Sequence, residues 1–139
     1  MIPPSIHVPS HRVRVGCDVV ALSEVRRSLD HFGQRYLDKM FTAAEQAHCA
    51  GDNQIARLAA RFAAKEAVVK AFGEPGAPYP AQEIEVLSIG SVPSLQLSGT
   101  IARRATDQGW IDTSVSLSHS DCHAAAVVVV VCTAVQEPV

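Results

Sequence analysis

Apolar and polar positions first alternate at Val13, Val15, Cys17 and Val19 against Arg14, Gly16, Asp18 and Val20, the period of a half-buried strand. The apolar set is expected to supply its buried side. Asp18 falls near the strand's end, on the opposite face. The period then changes to three and four. Ser23 can cap a helix in which Val25, Leu29 and Phe32 form one stripe, with Arg26, Arg27 and Asp30 facing solvent and Gly33 at its end. Thr42-Ala-Ala-Glu45 has the capping-box pattern, which predicts a short helix from Ala43 that Gly51 closes. From Gln54 to Phe72 the helical signal is strongest. Ile55, Leu58, Ala59, Phe62, Val69 and Phe72 recur at helical spacing among seven alanines, and Gly73 stands where a C-terminal cap belongs.

Glu74 to Pro80 holds three prolines and a glycine and reads as a loop within the domain. Ile84 to Val86 and Ser94 to Leu97 then read as strands paired around a turn at Gly90 to Pro93. A short helix from Ile101 to Gln108 comes next, ended by Gly109. Thr113 to Ser118 and Ala124 to Cys132 form a second hairpin about His119 to His123. Helices gather in the first half and strands in the second, so the fold class is α+β, an antiparallel sheet packed around a long central helix. The pattern predicts one domain over residues 13–135, between a lead of residues 1–12 expected to be flexible and a tail of residues 136–139.

Charge narrows the function. Twelve Lys and Arg stand against fourteen Asp and Glu, so no general attraction to nucleic acid or anionic membrane is expected, and any polyanion must be met locally. Cys17, Cys49, Cys122 and Cys132 lack the spacing of a disulfide framework or a zinc motif and read as reduced, mostly buried thiols. The longest apolar run, Ala124 to Cys132, is nine residues, too short to span about 30 Å of hydrocarbon, and reads as a buried strand. Met1 to Arg12 has no signal-peptide core, which predicts a cytoplasmic address.

The chemistry stands out on the long helix. Descending its apolar stripe from Ile55 through Ala59 and Phe62, the next steps of four reach Glu66 and Lys70, charges at the edge of a buried face. One reading is a helix ion pair stabilising by about 0.3–0.5 kcal/mol. The other is that Glu66 and a second carboxylate, Asp18, hold a divalent cation while Lys70 meets phosphate oxygens; Mg²⁺ commonly takes one or two carboxylates together with phosphates and water. Arg57, Arg61 and Lys65 recur along one flank, as a solvated face or a phosphate cradle. Ser118 and His119, in the second hairpin turn, could donate hydrogen bonds to a ligand. No Walker loop, nucleophilic triad or dinucleotide fingerprint is present.

Val15-Gly-Cys-Asp-Val-Val20, Phe41-Thr42-x-x-Glu45, Arg61-Phe-Ala-Ala-Lys-Glu-Ala-Val-Val-Lys-Ala-Phe-Gly73, Ile84-Glu-Val86 and Ser116-Leu-Ser-His119 followed by Ala124-Ala-Ala-Val127 resemble, in order, the blocks of the small phosphopantetheinyl transferases, the holo-acyl-carrier-protein synthase type most closely. The resemblance covers Val13 to Val131. It implies that coenzyme A is the co-substrate and that its 4′-phosphopantetheine arm moves to a serine of an apo-acyl or peptidyl carrier protein, releasing adenosine 3′,5′-bisphosphate. Asp18 and Glu66 would hold Mg²⁺ against the pyrophosphate, and Lys70 would stabilise charge on the phosphoryl or leaving group. Arg61, Lys65, Ser118 and His119 would bind coenzyme A. The serine proton could leave through Glu66 or a metal-bound water, and both routes stay open. A homotrimer with its active site between subunits is also implied.

Two departures bear on the detail. Where relatives have Gly-Lys-Pro in a strand turn, this chain has Ser91-Val92-Pro93. Where the first helix usually offers an arginine six residues after the aspartate, this chain has Glu24, with Arg26 and Arg27 next in the helix as the expected docking site for the carrier. The competing readings are a non-catalytic binder of coenzyme A or of a carrier, and a nucleotide phosphohydrolase.

Overall fold

The computed structural model describes residues 11–74 and 76–134. The expected tail and all but the end of the expected lead lie outside them. The chain runs β1 (His11–Ala21), α1 (Leu22–Phe32), α2 (Gln34–Met40), α3 (Ala43–Cys49) and α4 (Gln54–Phe72), then a 3₁₀ turn (Ala81–Glu83), β2 (Ile84–Ile89), β3 (Val92–Leu97), α5 (Gly99–Asp107), β4 (Trp110–His119) and β5 (His123–Thr133). β1 thus takes up the last residues of the expected lead. A three-stranded antiparallel sheet has the order β1-β5-β4, and β2-β3 forms a separate hairpin. The α+β class holds, with α4 lying across the inner face of the larger sheet. No helix among the described residues is long and apolar enough to cross a membrane.

α4 is buried on almost every side, from Leu58, Ala59, Ala63 and Ala64 to Ala67, Val68 and Phe72. Its alanines let strands and helices approach closely while keeping high helix propensity. From β5 come Ala124, Ala126, Val128, Val130 and Cys132, all buried against it. The alternate residues point away, with Val127 40% and Val129 38% exposed, so the run expected to be wholly buried is covered on one face in the single chain.

β1 reverses the sequence expectation. Val13, Val15 and Val19 are 61–68% exposed, and the face carrying Arg14, Gly16, Asp18 and Val20 turns to α4. Gly16 gives the reason: a Cβ there would lie 1.8 Å from the carbonyl oxygen of Ala67, so only glycine admits the helix at this distance. Arg14 fits beside it by donating to the Ala71 and Phe72 carbonyls at 3.2 Å each, groups that the end of α4 leaves without helical partners.

Other differences are local. α1 starts at Leu22 with no side-chain cap; the Leu22 N–H is accepted by Cys122 O, and Ser23 lies exposed in the first turn. Phe32 is 53% exposed, not part of a buried stripe. α2 lacks any sequence signal strong enough to foresee it, whereas the capping box of α3 forms as expected. Cys49 and Cys132 are buried, but Cys17 and Cys122 are exposed.

Candidate active site

The close approach at Gly16 brings β1 against the C-terminal half of α4. Two residues along the same face of the strand, Asp18 meets that part of the helix, where Lys70 Nζ donates to Asp18 Oδ1 at 2.9 Å and to Cys17 O at 3.0 Å. The carboxylate is largely buried, 17% exposed, and the ammonium is 56% exposed. The hydrogen bond and charge of Asp18 raise the pKa of Lys70 above the ordinary lysine value, with Glu66 adding to the shift. Lys70 therefore stays cationic, in contact with solvent on one side. Of the two readings of Glu66 and Lys70, the helix ion pair is not the one formed, because Asp18 on the neighbouring strand takes the ammonium.

Glu66 is half-buried one turn before Lys70, on the same side of α4. Its Oε1 accepts a hydrogen bond from the Tyr79 hydroxyl, which the loop after α4 brings over the helix. Burial, then the bond to Glu66 and the charges of Glu66 and Asp18, push the Tyr79 pKa up, so the phenol remains a donor. Lys70 and Tyr79 each feel both carboxylates, which places Asp18 and Glu66 in one electrostatic neighbourhood.

Among the described residues no group of three or more His, Cys, Asp or Glu side chains could hold a metal ion. Asp18 and Glu66 supply two carboxylate donors, and a hard cation commonly takes one or two carboxylates and leaves the rest of its octahedron to substrate phosphates and water. The donor set fits Mg²⁺.

A second group lies elsewhere. Arg61, Ser118 and His119 line a cleft of about 350 Å³ together with His48 and Arg57. Arg61 is 4% exposed and anchored, its Nε donating to Val86 O at 3.3 Å and its Nη1 to Arg57 O at 3.2 Å. Ser118 and His119, at the end of β4, are exposed, as are His48 and Arg57. Cationic side chains and hydroxyls around an open cleft suit an anionic, phosphate-bearing ligand.

Lys65 does not join them. It is fully buried, and its ammonium donates to Glu45 Oε1 at 2.8 Å, Ala81 O at 2.9 Å and Ile84 O at 2.5 Å. All three protons are engaged. Neither the solvated flank nor the phosphate cradle describes it, because Glu45 of α3, whose other oxygen accepts from Val86 N at 3.0 Å, draws it inward. Burial lowers the Lys65 pKa, opposed by Glu45.

Within one chain the acidic centre and the cleft are separate. Arg61 and Glu66 are five residues apart on α4, hence about 140° apart around the helix and about 7.5 Å along it. The sequence reading assigns neither Tyr79 nor His48 to a site, whereas Arg57 stands in it with Arg61 and Lys65 as part of a solvated face or a phosphate cradle, and the structure places Arg57 on the cleft. Tyr79 could not be assigned, since a tyrosine in a proline-rich loop carries no signal of which helix residue it will meet. On α1, Glu24, Arg26 and Arg27 are all exposed.

Residues 14–128 match the model of the 4′-phosphopantetheinyl transferase superfamily. A holo-[acyl-carrier-protein] synthase of Maridesulfovibrio salexigens is 38% identical over 120 residues, covering 84% of this chain and 96% of that protein. One from Streptomyces avermitilis is 41% identical over 118 residues, covering 84% and 95%. Among solved structures, the Chronobacterium ammoniagenes ACPS-CoA complex superposes with a TM-score of 0.78 at 28% identity, covering 88% of this chain and 99% of that one. With its acidic centre, its separate cationic cleft and these relatives, the chain belongs to the 4′-phosphopantetheinyl transferase superfamily, alongside the holo-[acyl-carrier-protein] synthases.

Proposed function

We propose that this chain transfers 4′-phosphopantetheine from coenzyme A to a serine of an apo-carrier protein with the help of Mg²⁺, releasing adenosine 3′,5′-bisphosphate. The carrying observation is the meeting of Asp18 and Lys70, with Glu66 beside them, where β1 crosses α4. In the reaction the serine oxygen gives up its proton, to Glu66 or to water, and forms a bond to the phosphorus bearing the pantetheine arm, while the bond from that phosphorus to the bridging oxygen breaks and that oxygen leaves with the adenosine 3′,5′-bisphosphate. Positioning and charge stabilisation are what such a transfer mainly requires.

Asp18 and Glu66 would hold the Mg²⁺, which supplies Lewis-acid neutralisation of the pyrophosphate oxygens. Lys70, raised in pKa and open to solvent on one side, can turn from Asp18 to the phosphoryl oxygens as negative charge accumulates. Arg61, Ser118 and His119 would take the nucleotide phosphates in their cleft, with Arg57 and His48 adding charge and donors. Lys65 serves by fixing the backbone around the site.

Since the cleft and the acidic centre occupy different faces of α4, one coenzyme A would be shared most simply between two copies. The exposed valines of β1 and β5 support a homotrimer built on that sheet face. The exposed Arg26 and Arg27 favour carrier docking on α1, tempered by Glu24. The test is to incubate the protein with Mg²⁺ and coenzyme A, with and without apo-carrier. Release of adenosine 3′,5′-bisphosphate only when carrier is present supports transfer. Release without carrier would indicate a hydrolase, and binding without release a non-catalytic module.

A further inference from the structure

The loop between α4 and the 3₁₀ turn is built to hold one side chain. Tyr79 lies between Pro78 and Pro80, whose rings fix their own φ angles, and Pro80 also confines Tyr79 to extended backbone. Just beyond, Ala81 is buried and its carbonyl accepts one proton of Lys65, while Gln82 donates to Asp38 O. The loop is thus tied to α4 through Lys65, and two residues earlier it returns to Glu66, the residue after Lys65. The Tyr79 ring packs on the core and its hydroxyl donates to Glu66 Oε1. Both residues border a cleft of about 720 Å³ with Val69, Met40 and Lys39.

From this geometry we infer that Tyr79 is a positioning residue that orients Glu66 for the metal, a role that rests on the metal reading above. The hydroxyl occupies one lone pair of Oε1 and so restrains the rotation of the carboxylate, which would meet the metal with its remaining lone pairs. Ligating carboxylates are themselves hydrogen-bonded, and loss of such a partner typically weakens metal affinity or activity by about 10–100-fold. The ring anchors the loop and the hydroxyl aims the carboxylate, so Tyr79→Phe separates the two.

The experiment measures Mn²⁺ binding, from the loss of the free-ion electron paramagnetic resonance signal at saturating coenzyme A, corrected for coenzyme A alone. Wild type, Tyr79→Phe and Glu66→Gln are compared, with thermal melting of each. The expected result is a Tyr79→Phe protein that melts like wild type but binds Mn²⁺ about tenfold more weakly. Its Mg²⁺ requirement in the transfer assay should rise in parallel, while the KM for coenzyme A at saturating Mg²⁺ stays unchanged. Glu66→Gln should lose the Mn²⁺ site. If it does while Tyr79→Phe keeps wild-type affinity, the positioning role is overturned and the metal reading stands. If Glu66→Gln binds Mn²⁺ like wild type, or wild type binds none, the metal reading fails and this inference with it. A melting temperature lowered in Tyr79→Phe with metal affinity intact would make the hydroxyl structural and also overturn the role.

Discussion

Glu45 and Lys65 form a fully buried ion pair in which the carboxylate also caps α3 and accepts from β2. Removing one partner leaves a desolvated charge, which costs on the order of 3–5 kcal/mol. Glu45→Ala is therefore expected to lose stability of that size in urea denaturation, and the joint change Glu45→Leu with Lys65→Met should recover much of it. A loss under about 1 kcal/mol for Glu45→Ala would show that the ammonium finds compensation from the carbonyls alone. Residue types told part of this in advance. Glu66 was recognisable because it interrupts an apolar stripe, and Thr42 and Glu45 because a capping box is local. The Glu45 to Lys65 pairing was not, since it joins residues twenty apart whose approach depends on how α3 packs on α4.

The helix α5 has Ser98 at its N-cap but no side-chain bond from it; instead Glu83, before β2, accepts from Thr100 N and Ile101 N, and from Thr100 Oγ1 at 2.7 Å. The Thr100 hydroxyl, and then the two N–H groups, hold the Glu83 pKa below the ordinary carboxylate value. A depressed carboxylate contributes stability above its unfolded pKa and loses it as pH falls through the folded one. Acid titration of stability should therefore show wild type losing a contribution below about pH 4.5 that Glu83→Gln lacks at every pH; parallel curves would contradict the cap. α4, α3 and both hairpins were legible because their signals are periodic or local. The facing of β1 was not. Alternation identifies a strand but not which face meets the core, and here a glycine rather than the valines fixes the answer.

At the scale of the molecule, the outer face of β1 and β5 leaves Val13, Val15, Val19, Val127 and Val129 open, with Val15 opposite Val129 and Cys17 opposite Val127 in register. Such a stripe suits burial against another surface, and the proposed homotrimer would supply it. Val15→Asp should shift light scattering from a trimer to a monomer mass and sharply reduce transfer, since a shared site would be divided; a monomeric wild type, or an active monomeric variant, would contradict this.

Asp18 and Glu66, as the metal pair of a phosphopantetheine transfer, are the centre on which the proposed chemistry depends. The most direct measurement is the intact mass of an apo-carrier after incubation with coenzyme A and the wild-type, Asp18→Ala or Glu66→Ala protein over a range of Mg²⁺ concentrations. The predicted result is Mg²⁺-dependent modification of one carrier serine by wild type and at least about a hundredfold slower modification by either variant, on the order of loss typical for removing a group that stabilises transition-state charge. Modification at near wild-type rates by both variants, or Mg²⁺-independent modification by wild type, would contradict it.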